Sequence, residues 1–204
     1  YGSAYTNLKE ALQYIENDDR TNLYYALSAI HMGFLKDAES KLEMVKNGEL
    51  EEEVETAVFR IAEIRKQSVE IFLKGEKLYA KGDYDGALRN YRRAVKMNGD
   101  NAEAKYKLFL TGGIVLFRKG GRWELWDSIV QFGKASQIKP EKAEPHYYMA
   151  RAYLKKNGRD FDSAIEEYES ALKLEPDGKF ADEIKKEIVR LKEKRDFYRN
   201  FWEK

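Results

Sequence analysis

Cysteine is absent from this chain and proline nearly so. Without a thiol there is neither a disulfide framework nor a thiolate metal site, a condition compatible with any redox compartment. The three prolines, Pro140, Pro145 and Pro176, stand at the edges of apolar periodicities and never inside them, as expected of an all-helical chain. Histidine is almost missing too. His31 and His146 are far apart, and neither has a second histidine at helical spacing, so a histidine metal site has no support. No serine occupies a glycine-flanked strand-to-helix turn, and Gly120-Gly121 is followed by Arg122 instead of the Lys-Ser/Thr of a phosphate loop. A nucleophile and a phosphate cradle are therefore both missing, and no cofactor is expected.

The chain also lacks an excess of either charge. Its 37 Lys and Arg face 36 Asp and Glu, for a net charge of +1, which gives no field to gather a polyanion. Nucleic acid is not an expected partner. The longest apolar run, Leu108 to Phe117, contains Thr111 and two glycines and reaches about half the length of a membrane span, so no transmembrane helix is expected. The acidic pair Asp83 and Asp85 lacks the third ligand and closing glutamate of a calcium loop. Asp83 reads instead as a helix N-cap.

What is present is repetition. Gly82-Asp83-Tyr84-Asp85-Gly86-Ala87-Leu88-Arg89-Asn90-Tyr91-Arg92-Arg93-Ala94 recurs in degraded form as Gly158-Arg159-Asp160-Phe161-Asp162-Ser163-Ala164-Ile165-Glu166-Glu167-Tyr168-Glu169-Ser170-Ala171. Ala87, Tyr91 and Ala94 fall on one helix face and alternate small with large, which lets two helices approach closely. Self-similarity at a period of roughly 34 residues describes helical hairpins too small to bury their own apolar faces, so neighbours must stack.

The pattern resembles the tetratricopeptide repeat. A first clear unit spans 68–101, with Gly75, Tyr84, Ala87, Tyr91 and Ala94 in the repeat's places, although Leu78 replaces an aromatic and Gly99 the usual proline. A divergent unit covers 102–142 through Ser128, Phe132, Ala135 and Pro140; its spacing exceeds the period around Phe117 to Trp123, which predicts a longer first helix and an enlarged turn. A third clear unit occupies 143–178, with Ala150, Tyr153, Phe161, Ala164, Tyr168, Ala171 and Pro176 matching. Residues 1–67 form an N-terminal helical region. Within it, Gly33-Phe34-Leu35-Lys36-Asp37-Ala38 marks a divergent hairpin over about 20–47, Leu8, Leu12 and Ile15 mark a short leading helix, and Leu50, Val54, Val58, Ile61 and Ile64 mark a helix with no breaker before Gly75. Ile184, Ile188 and Leu191 predict an amphipathic capping helix within 179–204. The expected fold is all-α: a right-handed superhelical solenoid of antiparallel helix pairs, about ten helices in all.

The resemblance implies a non-catalytic scaffold or adaptor that binds a peptide or helix of a partner protein along its first helices. Transferred onto this sequence, the inward-facing positions are Phe72, Leu73, Glu76 and Tyr79, then Tyr106, Lys107, Leu110 and Gly113, then Tyr147, Tyr148, Arg151 and Leu154. The partner contacts are expected from Phe72, Tyr79, Tyr106, Lys107, Leu110, Tyr147, Tyr148 and Arg151. Aromatic side chains there offer large contact area at low conformational cost, and Lys107 and Arg151 could pair acidic groups or carbonyls. The all-round apolar stretch Leu108 to Phe117 needs cover on every side, and Gly112 and Gly113 would let a covering element approach. The clamp for acidic chaperone tails is not expected, since its places hold Phe72, Glu76, Glu144 and Tyr148 besides Lys107. The alternative is a structural or assembly component, in an envelope complex for instance, that associates with itself through its C-terminal helix, where Phe197, Tyr198, Phe201 and Trp202 crowd together. Trp123 and Trp126 with Leu125 are expected to pack or, failing that, to protrude as a second contact point. The compartment is open between cytoplasm and, had a leader been removed before Tyr1, a bacterial periplasm or envelope.

Overall fold

The computed structural model describes residues 2–11 and 18–202, which form ten α-helices and no strand among the described residues. Helix α1 is Gly2–Ala11, α2 Asp19–Met32, α3 Leu35–Leu42, α4 Glu51–Ala80 and α5 Tyr84–Met97. Then follow α6 Ala102–Lys119, α7 Arg122–Ile138, α8 Glu144–Lys156, α9 Phe161–Leu174 and α10 Ala181–Trp202. Residues 1–104 and 105–204 make two compact units. Of the leading helix's apolar markers, Leu12 and Ile15 lie outside the described residues.

In the first unit α1, α2 and α3 pack in succession, and α4 pairs with α5. Asp18 starts α2 by accepting a 2.7 Å hydrogen bond from the Thr21 amide, and Gly33 ends it in the left-handed conformation at φ 78°. Glycine is needed there twice over: a Cβ would be strained by that φ and would sit 2.6 Å from the Lys96 carbonyl oxygen of α5. The Gly99 amide also donates to the Gly33 carbonyl at 2.8 Å, and the Lys36 amide to Asp100 Oδ2 at 2.8 Å. These contacts fix the end of α2 against the end of α5. The core of the hairpin region comprises Leu23, Tyr25, Ala26, Leu35, Ala38, Leu42, Ala57 and Ile61.

Helix α4 begins on Glu51, Glu52 and Glu53, whose carboxylates complement the positive end of the helix dipole. No proline interrupts it, and it continues through Ser68 and Gly75 to Ala80. Gly75 belongs to the interface with α5, because a Cβ there would lie 2.7 Å from the Tyr91 ring. Beside it Ser68 Oγ donates to the Ala94 carbonyl at 3.1 Å.

In the second unit α7 pairs with α8, α8 with α9, and α9 with α10. The capping helix is present: Ile184, Ile188 and Leu191 of α10 join Tyr147, Ala150, Phe161, Ala164, Ile165, Tyr168 and Ala171 in one core. The enlarged turn expected around Phe117 to Trp123 is not. Phe117-Arg118-Lys119 contains no breaker and extends α6, leaving Gly120 at φ 75° and Gly121 as the whole connection, so the extra residues are spent on helix length. Gly113 does permit a close approach, and the element that arrives is α7: a Cβ there would be 2.4 Å from the Phe132 ring.

Candidate partner-binding surfaces

Each unit carries its share of the predicted contact residues. In the first, Phe72 is half-buried with its ring 5.6 Å from that of Tyr91, and Tyr79 meets Tyr84 edge-on at 5.1 Å. Leu73, beside Phe72, is half exposed at 50%.

In the second unit the structure brings Tyr147, Tyr148 and Arg151 of α8 into one cluster. Tyr147 stacks on Phe180 with ring centroids 4.0 Å apart, and its hydroxyl donates to Glu183 Oε1 at 2.9 Å while accepting from Arg151 Nη1 at 2.9 Å. Desolvation first, and the Glu183 hydrogen bond second, raise the Tyr147 phenol above its ordinary range, so it stays protonated and able to donate. The Arg151 guanidinium spans the Tyr147 and Phe117 rings at 5.3 and 5.5 Å. Tyr148 stacks on Phe132 at 5.3 Å. Phe117, Phe180 and Glu183 thus belong to the cluster although the repeat pattern does not point to them.

Tyr106, Leu110 and Tyr147 are buried in this arrangement, at 3%, 0% and 3% exposure. The Lys139 ammonium lies 5.6 Å from the Tyr106 ring centre. Lys107, Tyr148 and Arg151 are only half-buried and form the accessible part of the predicted set in this unit.

The tryptophan segment protrudes. Leu125 is buried, but Trp123 is 78% exposed, and Trp126 lies under the Lys156 ammonium at 3.7 Å. On α10, Tyr198 packs on Phe161 at 5.8 Å, whereas Phe197 is exposed; the side chains of Phe201 and Trp202 lie outside the described residues.

Among the described residues no group of three or more His, Asp or Glu side chains could hold a metal, and no helix is long and apolar enough to cross a membrane. His146 is engaged through Nδ1 with Glu167 Oε2 at 2.7 Å.

No curated protein matches the sequence. Among solved structures, the Arabidopsis OM64 TPR domain is 21% identical, covering 64% of this chain and 98% of that one at a TM-score of 0.49. The first TPR of Spaghetti (RPAP3), bound to the HSP90 peptide SRMEEVD, is 17% identical over 63% of this chain and 92% of that one, at 0.48. The TPR2AB domain of yeast Sti1, in complex with pHSP90, is 16% identical over 94% and 79%, at 0.47. Residues 75–111, from the end of α4 through α5 into α6, match the family model of the TPR repeat, and the chain carries a tetratricopeptide repeat there.

Proposed function

We propose that the chain is a non-catalytic protein-interaction scaffold, and that the second unit receives a peptide or helix of a partner on the face bearing Lys107, Tyr148 and Arg151. The observation that carries this reading is the Tyr147–Tyr148–Arg151 cluster, in which stacking and two hydrogen bonds hold an aromatic and cationic surface in place before any partner arrives. Preorganisation of this kind reduces the ordering cost of association. Tyr106, Leu110 and Tyr147 support the face from behind. Phe72 and Tyr79 belong to a comparable face of the first unit, with Leu73 as its exposed apolar element.

The test is affinity capture from native extract with the wild-type chain and a Lys107→Gln/Arg151→Gln variant of matched helicity and melting point, followed by titration of each captured protein in purified form. A partner bound by the wild type and weakened by the variant by roughly 2 kcal/mol or more would carry the proposal. Equal affinity for every partner would remove it.

A second reading, self-association or assembly through α10, is favoured by Val189 and Phe197, which are exposed at 58% and 66% on the capping helix. Light scattering of a Val189→Glu/Phe197→Glu variant tests it, since an oligomer built on that face would dissociate.

A further inference from the structure

The first unit contains a cavity of about 460 Å³ where the end of α2, the middle of α4 and the end of α5 converge. Its lining is Ile30 and His31 from α2, Arg60 and Ile64 from α4, and Arg93, Lys96 and Met97 from α5. Three properties distinguish it. First, it has a built wall: Gly33 brings α2 against the Lys96 and Met97 backbone at a distance no Cβ would tolerate, so the converging helix ends are held by main chain. Second, its charge has one sign. Arg60, Arg93 and Lys96 contribute no acidic neighbour to the lining, in a unit whose carboxylates outnumber its Lys and Arg residues. No ion pair engages any of the three among the described residues. Third, the polar and apolar parts are segregated, with Ile30 buried and Ile64 and Met97 half-buried beside exposed cationic heads.

The His31 imidazole fits this picture. Desolvation, and then the adjacent Arg60 guanidinium, push it below its ordinary value, so at neutral pH the charge of the cavity is that of the two arginines and the lysine. A concave wall lined by one sign of charge focuses the field outward and raises the local concentration of opposite charge. Two guanidiniums can each grip a carboxylate through paired N–H donors, which the ammonium supplements as a point charge.

We propose that this cavity is a recognition site for an acidic segment of a partner protein, with carboxylates on Arg60, Arg93 and Lys96 and an intervening apolar side chain on Ile30, Ile64 and Met97. It is made from helices other than those bearing Lys107, Tyr148 and Arg151 and goes beyond the scaffold reading.

The probe is a fluorescein-labelled peptide Leu-Glu-Glu-Leu-Glu-Glu, titrated with the full chain at low salt and followed by anisotropy, beside the same peptide with every Glu replaced by Gln. Saturable binding of the acidic peptide alone is expected. It should weaken tenfold or more in Arg60→Gln/Arg93→Gln and remain within twofold in Lys74→Gln/Lys81→Gln, which removes two cations outside the cavity. Arg93→Lys, which keeps the charge but not the fork, should lose less than Arg93→Gln. Absence of binding, equal binding of the Gln peptide, or equal loss in both double variants would each overturn the proposal. Complete competition by inorganic phosphate at the peptide's own affinity would overturn it as well, by assigning the cavity to a small anion. The Lys107→Gln/Arg151→Gln variant should bind the peptide as the wild type does, so failure of the scaffold reading and failure of this one are told apart.

Discussion

Helices α5 and α9 carry the same alternation of small and large residues and bury it in the same way, yet their polar ends are built differently. Ala87, Tyr91 and Ala94 on the one, and Ala164, Tyr168 and Ala171 on the other, are all buried. The Tyr91 hydroxyl donates to the Glu76 carboxylate on α4, whereas the Tyr168 hydroxyl makes no hydrogen bond among the described residues. Asp83 caps α5 by accepting the Gly86 amide at 2.8 Å, while Asp160, at the same place before α9, makes no side-chain cap and lies 3.3 Å from the Lys156 ammonium. The apolar face is thus what the repeat needs in order to form a hairpin, and the polar contacts are local additions that one copy has and the other does without.

The largest expected effects test the shared part. Tyr91→Ala and Tyr168→Ala each empty a fully packed site and should each cost about 3–5 kcal/mol in urea denaturation. A loss below about 1 kcal/mol in either would mean that the side chain is not holding its hairpin.

The next pair tests the difference. Tyr91→Phe removes a buried hydrogen bond to a carboxylate and should cost about 1–3 kcal/mol; Tyr168→Phe should stay within about 0.5 kcal/mol. The phenols of Tyr91 and Tyr168 are both raised, by burial above all, with the Glu76 hydrogen bond second for Tyr91 and the Glu187 charge second for Tyr168. A raised phenol keeps its proton in the folded chain, so its stabilising contribution is complete below the unfolded value of about 10 and declines as the pH rises through the folded value. Either Phe variant should therefore lose less stability than the wild type between neutral and strongly alkaline pH.

Much of this architecture is legible in the sequence because the signals are local. The small–large alternation of α5 and α9, the prolines at helix edges and the Asp83 cap are each read within a few residues. The turn between α6 and α7 was not, since repeat spacing counts residues without saying whether they lengthen a helix or a loop; the absence of any breaker in Phe117-Arg118-Lys119 was the available clue. Which first-helix residues are accessible is likewise a tertiary matter. Tyr147 is buried because Phe180, 33 residues later, stacks on it at 4.0 Å. The cationic cavity draws on α2, α4 and α5, elements up to about sixty residues apart in the chain, and no local pattern in the sequence brings their side chains together.

Three glycines sharpen the comparison between helix pairs, and their expected effects are smaller. Gly75→Ala and Gly113→Ala gain helix propensity of about 1 kcal/mol but drive a Cβ into the Tyr91 and Phe132 rings, at a cost of about 1–3 kcal/mol, and should lower the melting point on balance. Gly133 on α7 has open space where its Cβ would be, so Gly133→Ala should raise stability by about 1 kcal/mol. If all three alanines stabilise, the close approach at Gly75 and Gly113 is not required by the packing.

The smallest effect lies at the caps, and it isolates a single atom. A Cβ at residue 86 would come within 2.2 Å of Asp83 Oδ2, so glycine there leaves the space in which the Asp83 carboxylate folds back onto the first turn; the second copy has Ser163 at that place. Asp83→Ala should cost about 1 kcal/mol and Asp160→Ala about 0.3–0.5 kcal/mol, the worth of a helical ion pair. Gly86→Ala should reproduce most of the Asp83→Ala loss, and the double variant should cost little more than either single one, because both remove the same hydrogen bond. Additive losses, measured as shifts of the urea midpoint at constant slope, would show that Gly86 acts on something other than the cap.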